Sequence, residues 1–123
     1  MNLLTIFEYL ILRVRKNFNL KKQILKFPVG AYNGEVKNKL PHGKGVMNFI
    51  NSDKYEGTFL KGLRHGKGKD IFHTGDKYIG NYKNGYPHGQ GTYTWSNGDK
   101  YTGNHSAGFK DGRGKEILHN GES

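Results

Sequence analysis

The spacing of hydrophobic and polar positions changes once along the chain, near Pro28. Before it, Leu3, Phe7, Leu10, Ile11, Val14 and Phe18 recur at the three- and four-residue steps of one helix face. Arg13, Arg15 and Lys16 lie mostly off that stripe. The pattern predicts a basic amphipathic helix over residues 3–18, with a further turn or two from Leu20 to Phe27 that Pro28 should end. Residues 1–27 are therefore expected to form a helical segment preceding a second unit, residues 28–123. In that unit the alternation has a period of two. Lys54-Tyr55-Glu56-Gly57-Thr58-Phe59 reads as a strand, with a partner running from Gly66 to Phe72.

The strand pattern repeats. Tyr32, Tyr55, Tyr78 and Tyr101 stand 23 residues apart, and each is followed two residues later by a glycine: Gly34, Gly57, Gly80 and Gly103. Counting from each tyrosine, position 11 is Gly43, Gly66, Gly89 and Gly112, and position 13 is Gly45, Gly68, Gly91 and Gly114. Position 17 is always large and apolar: Phe49, Phe72, Trp95 and Leu118. Position 10 is His42, His65 and His88, then Asp111. Each unit is predicted to be a β-hairpin, with Thr74-Gly75 and Asn97-Gly98 as tight turns between units. Closing a three-residue loop at Gly98 sets Tyr93 opposite Tyr101 and Trp95 opposite Asp99. Ser52 holds the same place in the first copy. There it would be strained by roughly 1 kcal/mol, or the turn would differ.

Glycine weakens a strand, so its regular use marks backbone on which something packs directly. The expected occupant is a ring, either the tyrosine that opens each unit or the aromatic at position 17. Four units give about eight strands, a ribbon about 38 Å long whose units touch only their neighbours.

The run from Tyr78 to Gly98, Tyr-x-Gly-x4-Gly-x2-His-Gly-x-Gly-x6-Gly, resembles the MORN (membrane occupation and recognition nexus) repeat. The second and third copies carry the whole motif. The first departs from it at Lys39 and Ser52, and the fourth at Asp111. The fourth also has His105 where the others have Val36, Phe59 or Tyr82. The resemblance implies an elongated single-layer antiparallel sheet, mainly β, that serves as a binding or assembly module and not as a catalyst. Members of the family are associated with membranes, with cytoskeletal and ciliary structures and with dimerisation, and some are joined to enzymes. Lipid binding is not general among them.

Composition sharpens this reading. Glycine is abundant at 19 residues, and 8 Tyr, 7 Phe and 1 Trp accompany it, while only 33% of residues are apolar. That suits thin β-structure better than a thick two-layered core. With no cysteine, disulfides and thiolate metal sites are excluded. The formal charge is +10, and residues 1–31, with six Lys/Arg against Glu8, carry half of it. Acidic partners are favoured by that balance. The apolar run Leu3–Leu12 is about half of the ~20 residues that a membrane span requires, and no positive charge precedes it as in a secretory signal. An intracellular setting, cytoplasmic or associated with cytoskeleton or an organelle, is expected.

Candidate chemistry is sparse. His42, His65 and His88 would lie two strands apart, roughly 10 Å, too far to share a zinc ion. Gly66-Lys67-Gly68-Lys69 lacks the spacing and the Ser/Thr of a phosphate loop. No nucleophile elbow or carboxylate pair stands out, so neither catalysis nor a cofactor is expected. Asp53-Lys54, Asp76-Lys77 and Asp99-Lys100 interrupt any basic stripe, which argues against nucleic acid.

A single sheet is not expected to cover its own aromatic face. Tyr32, Phe49, Tyr55, Phe72, Tyr78, Tyr93, Trp95 and Tyr101 are therefore the expected interaction face. Its cover would be a partner in a multi-subunit assembly, a second copy, or the amphipathic segment. A peripheral tether to acidic phospholipids is the alternative, and a regulatory module acting on a separate enzyme is a third. Phe7, Leu10, Ile11, Val14 and Phe18, with Arg13, Arg15 and Lys16, are the expected docking residues of the helix.

Overall fold

The computed structural model describes residues 21–119. They form one nine-stranded antiparallel sheet in which every strand pairs with the next in sequence. The strands are β1 (Lys21–Phe27), β2 (Gly30–Lys37), β3 (Leu40–Phe49), β4 (Lys54–Leu60), β5 (Leu63–Ile71), β6 (Lys77–Lys83), β7 (Tyr86–Thr94), β8 (Lys100–Ser106) and β9 (Phe109–Ile117). Each 23-residue unit is one hairpin, as its alternation requires. The helix predicted over residues 3–18 lies outside the described residues.

Residues 21–27 correct the sequence reading: they are a strand, where a continuing helix was expected. Leu25 and Phe27 turn inward while Ile24 and Lys26 are exposed, which is also a period of two. A short apolar stretch satisfies both periods, and tertiary pairing decides between them. Pro28 and Val29 make the turn, and Leu25 is set opposite Tyr32. β1 therefore covers the first repeat, and the strand count rises from the expected eight to nine.

Two turn types alternate. Within each repeat a two-residue turn has both residues left-handed: Asn38-Lys39, Lys61-Gly62, Asn84-Gly85 and Ala107-Gly108. Between repeats, three-residue loops carry Ser52 (φ 75°), Gly75 (φ 95°) and Gly98 (φ 93°) at the left-handed position. Ser52 keeps the same bonds as the glycines, its N–H donating to Phe49 O at 3.0 Å, so the first loop accepts the strain and does not change type. Tyr93 faces Tyr101, and the Trp95 N–H donates to Asp99 O at 2.9 Å, as the predicted register requires.

The core is built on the backbone itself. Tyr32, Tyr55 and Tyr78 are at most 1% exposed, and Tyr101 is 4% exposed. Each ring lies over the glycine at position 13 of its own repeat. A Cβ on Gly45, Gly68, Gly91 or Gly114 would come within 2.2–2.3 Å of Tyr32, Tyr55, Tyr78 or Tyr101 respectively. Across the ladder Gly34 pairs with Gly45, Gly57 with Gly68, Gly80 with Gly91 and Gly103 with Gly114, so the bed under each ring is two bare Cα atoms wide. Of the two rings expected over glycine, the tyrosine that opens the unit is the one found there.

Just beyond each glycine pair the register slips. The tyrosine hydroxyl donates to the carbonyl three residues on: Tyr32 to Glu35 (2.6 Å), Tyr55 to Thr58 (2.8 Å), Tyr78 to Asn81 (2.9 Å) and Tyr101 to Asn104 (3.0 Å). Phenylalanine would leave those carbonyls without that donor, which is a physical reason for tyrosine at this place. Repeats are also clipped together at their turns. Asp53 accepts from the His73 N–H, Asp76 from Ser96 and Asp99 from His119, each at 2.8 Å. At the other end the Gly62, Gly85 and Gly108 N–H groups donate to the carbonyls of Pro41, Arg64 and Pro87.

Two predictions follow from this core. Gly68→Ala should cost on the order of 1–3 kcal/mol, because the Tyr55 ring must move. Gly89→Ala should cost only about 1 kcal/mol for its left-handed backbone, since nothing lies within 3.8 Å of its added Cβ. Urea unfolding of the two variants measures the difference. Burial also pushes the hydroxyls of Tyr32 and Tyr78 up to about 12 from the ordinary 10, and Tyr93 likewise, aided by its bond to Asp76. The unfolded chain then ionises first, so stability is full below pH 10 and falls as pH rises through about 12. Phenolate absorbance and loss of the β-sheet circular dichroism should appear together over that window.

Candidate interaction surface

The tyrosine face of the sheet carries a continuous train of rings. Phe59 stands edge-on between Tyr32 and Tyr55, Tyr82 between Tyr55 and Tyr78, and His105 between Tyr78 and Tyr101. Centroid separations are 4.9–5.2 Å and interplanar angles 78–88°. His105, a departure from the motif in the sequence, is thus the last intercalated ring. It is 5% exposed, its Nδ1 has no partner among the described residues, and burial lowers its pKa.

This changes the expected interaction face. Tyr32, Tyr55, Tyr78 and Tyr101 are core residues with almost no surface to offer, because glycine beds and intercalated rings cover them without a partner. Phe49, Phe72, Tyr93 and Trp95 remain half-buried on the same face. Phe72 stacks on Tyr93 at 6.2 Å, and Tyr93 leans on Trp95 at 4.9 Å. The Phe7, Leu10, Ile11, Arg13, Val14, Arg15, Lys16 and Phe18 set lies outside the described residues. His42, His65 and His88 sit at the bulges of β3, β5 and β7, and His42 Nδ1 accepts the Lys61 N–H at 3.2 Å.

One pair of positions, 9 and 15, gives the face its chemistry. In the second repeat they hold Arg64 and Asp70, bonded at 2.9 Å, with the Tyr82 hydroxyl donating to the other Asp70 oxygen at 2.5 Å. Arg64 lies over the rings of Phe49 and Tyr55, 5.1 and 5.0 Å from their centroids. In the fourth repeat Lys110 bonds Glu116 and lies over Trp95 and Tyr101 in the same way. The first and third repeats replace the ion pair with Pro41 and Met47, and with Pro87 and Tyr93.

Where Pro41 and Met47 meet the second repeat, an apolar groove of about 340 Å³ opens. Phe27, Val29, Leu40, Phe49, Phe59 and Leu63 contribute to its walls, and Arg64 is its charged member. Leu40 and Leu63 belong to a ladder that the sequence reading did not single out. Position 8 is apolar in every copy: Leu40, Leu63, Tyr86 and Phe109, with 40%, 50%, 59% and 76% exposure. The first three lean towards the turn glycine of the next repeat, Gly62, Gly85 or Gly108, where an added Cβ would meet them at 3.5–3.7 Å. In-phase recurrence of an apolar side chain directly after a polar turn was the signal available. On the opposite face Lys22, Lys44, Lys67, Glu56 and Thr58 surround the bare glycine strip, together with Val46 and the exposed Ile79.

Four consecutive matches to the MORN repeat family model cover residues 32–54, 55–77, 78–100 and 101–123. No curated protein matches the chain significantly. MORN repeats are protein–protein or membrane–lipid interaction modules and are typically non-enzymatic. Among the described residues no helix is long and apolar enough to cross a membrane. With the 23-residue period, the glycine-bedded tyrosines and four matched units on one nine-stranded sheet, the chain belongs to the MORN repeat family.

Proposed function

We propose that this chain is a non-catalytic adaptor subunit that holds an apolar segment of a protein partner within a larger assembly. The observation that carries the reading is the Leu40–Leu63–Tyr86–Phe109 ladder, exposed along the whole array and continuous with the groove beside Met47 and Phe59. A sheet that already buries its tyrosines gains nothing for its own fold from leaving these four side chains in water. A row of large exposed apolar groups beside a groove is how contact surfaces present themselves. Arg64 and Lys110, each fixed by an acidic partner and a pair of rings, place two positive groups along the same face. They give a partner segment register as well as adhesion.

The test is the double variant Leu63→Asp/Tyr86→Asp, expressed in place of the natural chain. Both residues are at least half exposed, so unfolding midpoints should shift little. Gel filtration of a gentle extract should move the protein from a large species to its free size. Unchanged elution of the variant in a large species would refute the adaptor reading. Recovery of the natural chain only in a membrane fraction stripped by salt would refute it in favour of lipid attachment.

A further inference from the structure

The two edges of the sheet are finished differently. β1 carries Lys21, Lys22 and Lys26 with no acid among its seven residues, a charged edge of the kind that resists pairing. β9 keeps every feature by which the internal strands receive a neighbour. Its counterpart β5 shows what those features do. Gly66 pairs with Tyr82 of β6, whose ring stands edge-on against Tyr55 and whose hydroxyl donates to Asp70. In β9, Gly112 holds the same left-handed bulge (φ 71°), and among the described residues nothing lies within 4 Å of where its side chain would be. Glu116 stands at the place of Asp70 and Lys110 at that of Arg64, and the two are bonded. Among the described residues Tyr101 has one ring edge-on against it, His105, where Tyr55 and Tyr78 have two. Every residue of β9 is exposed.

We propose that β9 is an acceptor edge for an extended segment of another polypeptide with the pattern Tyr-x-Gly-x-Tyr, added antiparallel as a tenth strand. The register copies that of β6 on β5. The first tyrosine lies opposite Glu116, the glycine opposite Gly114 and the second tyrosine opposite Gly112. The second ring then stands edge-on against Tyr101 as Tyr82 does against Tyr55, and its hydroxyl donates to Glu116 as that of Tyr82 does to Asp70. Backbone bonds along the edge supply affinity and the two ring positions supply selectivity. A second copy of this chain is a poor occupant. Its own segment of this pattern, Tyr78–Tyr82, lies in the internal strand β6, and its β1 edge would set three lysines against Lys110, Arg113 and Lys115. This site is distinct from the groove and ladder, and either can fail without the other.

The test uses the whole chain and a fluorescent synthetic peptide with the sequence of Lys77–Lys83. The expected result is saturable binding that slows amide hydrogen exchange in residues 110–116 and leaves β1 unchanged. Replacing the peptide's second tyrosine by phenylalanine should weaken binding about tenfold on the natural chain. On the Glu116→Gln variant, which keeps an acceptor without the charge, the same replacement should matter less. Replacing the peptide glycine by valine should abolish binding, because the paired bare Cα atoms cannot then approach. Absence of saturable binding would overturn the proposal, as would protection of β1 or sedimentation showing that the free chain already pairs through β9 with a second copy.

Discussion

The fold rests on the contact between a tyrosine ring and two glycines on neighbouring strands. A single sheet has no second layer to dry its apolar face, so burial has to come from the sheet's own backbone. Removing both side chains from the cross-strand pairs such as Gly57–Gly68 lowers that backbone surface enough for the Tyr55 ring to lie on it. The slipped register beyond the pair then leaves a carbonyl within reach of the hydroxyl, so one side chain covers apolar backbone and satisfies polar backbone together. The 23-residue period follows from this unit: one ring, one glycine pair, one bulge and two turns.

Intercalation makes the units cooperative. A bedded ring leaves its edges open along the array, and the side chain four residues further on in the next repeat fills that space. Phe59 serves Tyr32 and Tyr55 alike, so neither repeat is dry without its neighbour. Stability of this kind is a sum over interfaces more than over units. It explains why β1 exists. Among the described residues only β1 precedes the first repeat, and its Leu25 and Phe27 supply apolar cover at that end.

The period, the hairpins, the between-repeat register and the packing of a ring over glycine were legible in the sequence because each rests on local spacing. Spacing left open whether the ring is the opening tyrosine or the aromatic at position 17. Ser52 was legible as a strained residue, and the structure bears it at φ 75°. Two things were not legible. Lys21–Phe27 satisfies both helical and strand periods, and only its pairing with β2 decides. The availability of Tyr32, Tyr55, Tyr78 and Tyr101 for contact was misjudged, because spacing shows which residues share a face but not how deeply a ring sinks into bare backbone. The ladder at position 8 was readable in principle. Its side chains open β3, β5, β7 and β9 directly after the turns, where the strand alternation has only begun and does not mark them.

The array is uniform in fold but not in chemistry, and the reason lies at positions 9 and 15. The aromatic at position 17 of one repeat and the tyrosine opening the next leave a slot between them. A cation fills it twice: Arg64 between Phe49 and Tyr55, and Lys110 between Trp95 and Tyr101. Each cation needs an acid close by, and Asp70 and Glu116 answer that need. In the third repeat Pro87 removes the cation, and the large ring of Tyr93 occupies the room against Phe72 and Trp95. In the first repeat Pro41 also removes it, but the thinner Met47 leaves space unfilled, and the groove opens there. The site of the groove thus follows from one side-chain difference between otherwise equivalent repeats. A partner that engages the array meets an apolar step, then an ionic one, in alternation along four repeats. Such a surface can hold a segment in one register where four identical units would accept several.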